Sequence, residues 1–154
     1  MTRLTVDSAA LLSNIRVIDE WMAGHGAGWT LVTKVLCGED SVVRLLVDNG
    51  IRSIGDSRIM NLEAVHEISP DVETWYLRPP HLSGIESIAR LADVSLNSEI
   101  SAIRLLSSCA SRLGRCHRII IMIELGDLRE GILPGSLTSF YESVFELPSI
   151  EVIG

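Results

Sequence analysis

Arg118-Ile119-Ile120-Ile121-Met122-Ile123-Glu124 is the strongest buried-strand signal in the chain. Successive strand side chains point to opposite faces, so five apolar residues in a row need cover on both sides. A parallel sheet flanked by helices provides that cover. Working outward, Ser98 caps a helix to about Leu113 that Gly114 stops, just ahead of the strand. A glycine-marked loop from Gly126 to Gly135 follows. Ser136 then starts a helix to about Glu146, Pro148 breaks it, and Ile150–Ile153 begins a further strand.

The same grammar extends upstream. Leu11, Leu12, Ile15, Ile18 and Met22 recur at helical spacing behind the N-cap Asp7. Thr30–Val35 reads as a strand and Asp40–Asn49 as a helix closed by Gly50. Ile51–Ile54 is a short strand and Arg58–Ile68 a helix. Thr74–Leu77 is a strand, Ser83-Gly-Ile-Glu86 a capping box for a helix to about Leu91, and Val94–Leu96 a strand. Strict alternation predicts a parallel sheet with right-handed crossovers. Two architectures satisfy it: a doubly wound open sheet and a (β/α)8 barrel. A barrel takes about 250 residues, so a chain of 154 supplies part of one. The open sheet suits the length better, but no G-x-G-x-x-G or Walker A motif follows any strand. Gly24, Gly26 and Gly28 precede a strand, which is the wrong side.

Composition narrows the function classes. Apolar residues make up 47% and aromatics only 5%, which suits packed parallel strands with helical cover. The net charge of −7, without a basic run, argues against a nucleic-acid partner. Cys37, Cys109 and Cys116 are scattered, so neither a disulfide framework nor a metal site is expected, and a reducing cytoplasm is the default setting. The four histidines have no ligand spacing. No apolar run is long enough to span a bilayer.

Function in parallel α/β folds sits at the C-terminal ends of strands. The residues just past successive strands are Lys34, then Asp56-Ser57-Arg58, then Arg78, then Asn97-Ser98-Glu99, then Glu124 with Asp127 and Arg129. Lys34 is the only lysine; the other twelve basic residues are arginines. A lysine at the mouth of a buried strand is a candidate nucleophilic amine, because burial frees the neutral form. The plain alternative is a strand-end lysine that snorkels to solvent. A planar anionic ligand would suit this set: lysine for an imine, arginine for phosphate, phenolate or carboxylate, Ser and Asn to orient it. Ser57 and Ser98 have an equally simple alternative as helix N-caps. Asp56, Glu99, Glu124 and Asp127 could serve a cationic substrate group.

Leu31-Val-Thr-Lys-Val-Leu-Cys-Gly38 resembles the lysine strand of the alanine racemase family, fold-type III pyridoxal-phosphate enzymes with an N-terminal (β/α)8 barrel. Ile54-Gly-Asp-Ser-Arg58, Leu96-Asn-Ser-Glu99 and, above all, Glu124-Leu-Gly-Asp-Leu-Arg-Glu-Gly131 resemble its ornithine racemase-like branch. Met122 stands where many alanine racemases carry a lysine, and no tyrosine follows Lys34; both departures point away from alanine racemase proper. The resemblance implies that Lys34 forms the cofactor Schiff base and acts as one acid/base group. It implies that Arg129 lies near the cofactor's phenolic oxygen. Ser57 and Asn97 are expected to contact the cofactor, and no metal is expected. Residues 1–154 would then be the first six strands of the barrel, with the later strands, the C-terminal β domain and the opposite-face base lying elsewhere. The substrate would be a free amino acid, and a homo-oligomer or a pairing with the C-terminal part is expected, because open sheet edges invite association. Two other readings share the fold: a pyridoxal-phosphate carrier without turnover, and a non-catalytic fragment that assembles with a partner.

Overall fold

The computed structural model describes residues 5–154. Among the described residues six α-helices alternate with six strands. α1 is Ser8–Gly24, β1 Leu31–Val32, α2 Asp40–Asp48, β2 Ser53–Asp56, α3 Ile59–Ile68 and β3 Glu73–Tyr76. α4 is Ile85–Leu91, β4 Val94–Asn97, α5 Ile100–Leu113, β5 His117–Ile121, α6 Leu137–Phe145 and β6 Ile150–Val152. Asp7 caps α1, accepting from the Ala10 amide at 3.0 Å. Gly114, at φ 66°, supplies the left-handed cap that ends α5.

All pairings are parallel, and the strands lie in the order β1-β2-β3-β4-β5-β6. This order decides between the two architectures. A doubly wound sheet reverses direction partway and places helices on both faces. Here every crossover steps the same way, so all helices cover one face and the sheet is an arc of a barrel. Ile54, Tyr76, Ile119 and Ile121 point outward and pack with Leu46, Val65, Leu62, Leu106, Ile103 and Val144 of the helices.

The concave face carries a polar ladder near the strand beginnings. Glu73 accepts from Trp75 Nε1 at 2.7 Å, Ser53 Oγ at 3.2 Å and Arg118 Nη2 at 2.8 Å, and Thr30 Oγ1 bonds Ser53 Oγ at 2.8 Å. Burial alone would push the Glu73 carboxyl up; these three donors outweigh it and hold the group below its ordinary value.

On the helix side, His117 is fully buried, with Nε2 bonded to Ser95 Oγ at 2.8 Å. Burial, reinforced by Arg115, pushes its pKa down to about 4 from 6.5. The unfolded chain therefore binds more protons between these values. This contribution to stability is complete above pH 6.5 and is lost as pH falls toward 4. It amounts to about 3 kcal/mol. Urea unfolding at pH 7 and pH 4.5 checks it: the wild-type midpoint drops, and His117→Gln flattens the drop. An equal slope in that variant would refute the assignment.

Candidate functional site

A cavity of about 750 Å³ opens at the C-terminal ends of the strands. Lys34, Ser57, Arg78 and Ser98 line it from the first four strand ends, and Arg129, Glu130 and Gly131 from the loop after β5. Its volume falls in the range of small-molecule and cofactor sites.

Lys34 is held by backbone that departs from the expected strand. β1 stops at Val32 instead of running to Val35, because Thr33 turns out of the extended region at φ −98°, ψ 5°. Lys34–Leu36 forms one 3₁₀ turn, closed by the Leu36 amide on the Thr33 carbonyl at 2.8 Å. Cys37 at φ 51° and Gly38 at φ 75° then reverse the chain. Gly38 also lies against Asn61: an added Cβ would sit 3.1 Å from its Oδ1. The burial expected of Lys34 is absent. Its side chain is exposed and stands at the cavity wall. Among the described residues, no carboxylate lies within ion-pair distance of Lys34, Arg78 or Arg129.

β2 runs two residues later than expected, from Ser53 to Asp56. This places Asp56 at the strand end and fully buried. Its Oδ2 accepts from Thr33 Oγ1 and Asn61 Nδ2, both at 3.0 Å, and its Oδ1 accepts from the Arg58 amide at 2.9 Å. It is therefore not available to a cationic substrate group, contrary to the sequence expectation. Ser57 and Ser98 are not helix caps either: the cap positions are Arg58 and Glu99, and neither helix start carries a side-chain cap bond. Both serine side chains belong to the cavity wall.

Of the four residues expected to hold the cofactor, Asn97 is the one that does not line the cavity; the strand-end candidates Asp56, Arg58, Glu124 and Asp127 do not line it either. Asn97 sits two residues after Ser95 on the outward face of β4, fully buried. Its Nδ2 donates to Ser95 O and Ser95 Oγ, each at 2.9 Å. Strand alternation sends it toward the helices with His117.

The loop after β5 explains the Glu124–Gly131 motif. Ile123 and Ile132 form a parallel bridge at its neck, with the Ile132 amide on Met122 O at 2.8 Å and the Glu124 amide on Ile132 O at 3.0 Å. The Glu124 carboxylate turns into the loop and accepts from the amides of Gly126 and Leu128, the latter at 3.1 Å. Those amides hold its pKa below the ordinary value. Glu124 thus organises the loop, and one of its carboxylate oxygens is committed to loop amides. Gly126 at φ 121° and Gly131 at φ 131° make the bends that carry Arg129 and Glu130 to the cavity.

Sequence reasoning missed Glu130 and the anchoring pair Thr33 and Asn61. Thr33 and Asn61 lie far apart in sequence and meet only through Asp56, so no local signal marks them. Glu130 had one: it sits inside the motif, beside Arg129. Among the described residues no group of three or more metal-ligating side chains occurs, and no helix is long and apolar enough to cross a membrane.

Comparison with known proteins agrees with this geometry. An ornithine racemase of Acetoanaerobium sticklandii is 31% identical over 153 residues, covering 99% of this chain and 43% of that protein. A lysine racemase of Thermotoga maritima is 28% identical over 130 residues, covering 84% of this chain and 37% of that protein. The chain therefore spans less than half the length of either racemase. The crystal structure of an alanine racemase from Bartonella henselae with covalently bound pyridoxal phosphate superposes with a TM-score of 0.76 at 18% identity, covering 94% of this chain and 42% of that one. The shared fold makes the arc the first part of a TIM-type barrel. Residues 6–154 match the family described as alanine racemase, N-terminal domain, and the chain belongs to that family.

Proposed function

We propose that this chain is the cofactor-binding N-terminal portion of a pyridoxal-phosphate-dependent racemase that acts on a basic amino acid such as ornithine or lysine. The observation that carries the reading is the cavity's donor set. The sole lysine stands there with two arginines that have no carboxylate partner among the described residues and two serine hydroxyls that cap no helix. A primary amine suits an aldehyde, guanidinium groups suit phenolate and phosphate oxygens, and hydroxyls orient both. The residues present fit the cofactor.

Lys34 would hold the cofactor covalently through Nζ, with Arg129 and Arg78 toward its anionic oxygens and Ser57 as a hydroxyl donor. When bound, the cofactor withdraws electrons from the substrate α-carbon. Once the substrate's amino group has replaced it at the aldehyde carbon, Lys34 Nζ is a free amine again and would take or return the α-proton on its own face. We assign the opposite-face proton donor to the remainder of the longer enzyme, with which, or with a second copy, this portion assembles. Glu99 and Glu130 line the same cavity and supply carboxylates for a cationic side chain.

The test uses the full-length protein. Pyridoxal phosphate is added, the visible spectrum recorded, the adduct reduced with borohydride and mapped. Label on Lys34, with α-hydrogen exchange from ornithine or lysine in deuterium oxide, supports the reading. A carrier of the same fold would take the label without exchange. No label removes both.

Substrate preference gives a second check. Glu99→Gln and Glu130→Gln together are expected to raise KM for the basic amino acid by about tenfold while leaving alanine turnover unchanged, since only the cationic side chain loses partners. Equal effects on both substrates would reject the assignment.

A further inference from the structure

Asp56 never touches the cavity, yet it is bonded to two of the chain segments that build it. We propose that Asp56 is a positioning residue for Lys34, acting through a buried clamp with Thr33 and Asn61 that locks the Lys34 turn to the Ser57–Arg58 turn. The proposal rests on the reading of Lys34 as the cofactor-holding amine.

The clamp reaches both ends of the Lys34 turn. At the leading end Thr33, 1% exposed, donates its hydroxyl to Asp56 Oδ2 and its amide to Gly55 O at 3.0 Å. At the trailing end Gly38 packs on Asn61, whose own Nδ2 goes to the same Asp56 oxygen. The other oxygen holds the Arg58 amide and so fixes the direction of Ser57. One carboxylate thus sets the distance between two cavity side chains on neighbouring strands.

A helix start does not account for this arrangement. An aspartate before a helix needs one oxygen for one nearby amide, and Oδ1 with the Arg58 amide fills that role. Oδ2 is spent on Thr33 and Asn61, outside that turn. Burying a carboxylate fully is costly unless every lone pair is met. Three donors and no acceptor surround Asp56, which suits a carboxylate and leaves an amide nitrogen opposed to donors.

The experiment uses the full-length protein with Thr33→Val, Thr33→Ser and Asp56→Asn. Valine keeps the shape of threonine and removes the hydroxyl; serine keeps the hydroxyl. Thr33→Val and Asp56→Asn are expected to speed hydrogen exchange at the amides of residues 34–38 by about tenfold or more, with exchange in β4 and β5 unchanged. The rate of borohydride-trapped attachment of pyridoxal phosphate to Lys34 is expected to fall by about the same factor. Thr33→Ser restores both. The clamp is overturned if folded Thr33→Val matches wild type in both readouts, or if Thr33→Ser behaves like Thr33→Val. If Asp56→Asn fails to fold, the two Thr33 variants decide. If wild type takes no pyridoxal phosphate, the functional reading fails, and hydrogen exchange alone decides the clamp.

Discussion

Replacing Lys34 by alanine is expected to abolish cofactor attachment and to lower racemisation in the full-length enzyme by about 10⁴-fold. No neighbour can stand in for it. It is the only lysine in the chain, and the other cations at the cavity are Arg78 and Arg129. A guanidinium stays protonated at working pH, so it neither attacks an aldehyde nor removes an α-proton. Lys34→Arg keeps the charge and is expected to lose as much. The comparison separates nucleophile and base from mere positive charge. Borohydride labelling reads the attachment, and α-deuterium exchange reads the proton transfer. Added methylamine is expected to restore part of the exchange in Lys34→Ala. A rate within about tenfold of wild type in either variant would remove Lys34 from the mechanism.

Gly131→Ala is expected to cost about 3 kcal/mol and to weaken cofactor binding with it. At φ 131° an alanine is strained before any contact is counted. Its Cβ would also lie 2.5 Å from the Glu124 nitrogen and 2.7 Å from the Ile123 carbonyl carbon. Those are backbone atoms at the neck of the loop, pinned by the Ile123–Ile132 bridge, so they have little room to yield. Relief requires the bridge to open, which releases the loop that holds Arg129. Gly135→Ala is the control: nothing lies within 4 Å of its added Cβ, and a change within about 0.5 kcal/mol is expected. Chemical denaturation of both variants, with pyridoxal-phosphate titration, checks the contrast. Equal stabilities would show that the neck is soft.

The order and type of the elements were legible because each strand is bounded by a glycine, a proline or a cap residue. The direction of winding was not, since alternation of strand and helix fits both an arc and a doubly wound sheet. Only the resemblance around Lys34 and Arg129 favoured the barrel. At the site, Lys34, Ser57 and Arg129 were named from strand-end position, and the structure brings all three to one cavity. Asn97 met the same criterion and went elsewhere. In Val94-Ser-Leu-Asn97 the polar residues alternate with apolar ones, which reads as a polar face turned from the core. The polar pair instead faces the helices, where Asn97 Nδ2 donates to Ser95 Oγ and Ser95 Oγ bonds His117 Nε2, while Asn97 Oδ1 has no partner among the described residues. The Ser83-Gly-Ile-Glu86 capping box also failed to form. A 3₁₀ turn over Leu82–Gly84 precedes α4, and the Ser83 hydroxyl bonds His81 Nδ1 at 2.9 Å. Both misses come from competing partners distant from, or just outside, the local window.

The Glu73–Arg118 pair has a consequence for how the protein is made. It joins β3 to β5 across the concave side of β4. Neighbouring strands lie about 4.8 Å apart, so a contact between alternate strands shortens the chord of the arc and draws the sheet into a bow. Trp75 and Ser53 hang on the same carboxylate and extend the brace to β2. All of these residues are synthesised by the time β5 leaves the ribosome, and nascent domains fold from the N-terminal side. The growing polypeptide can therefore set its curvature early. β6, made afterwards, then meets a curved edge at β5 instead of a flat one.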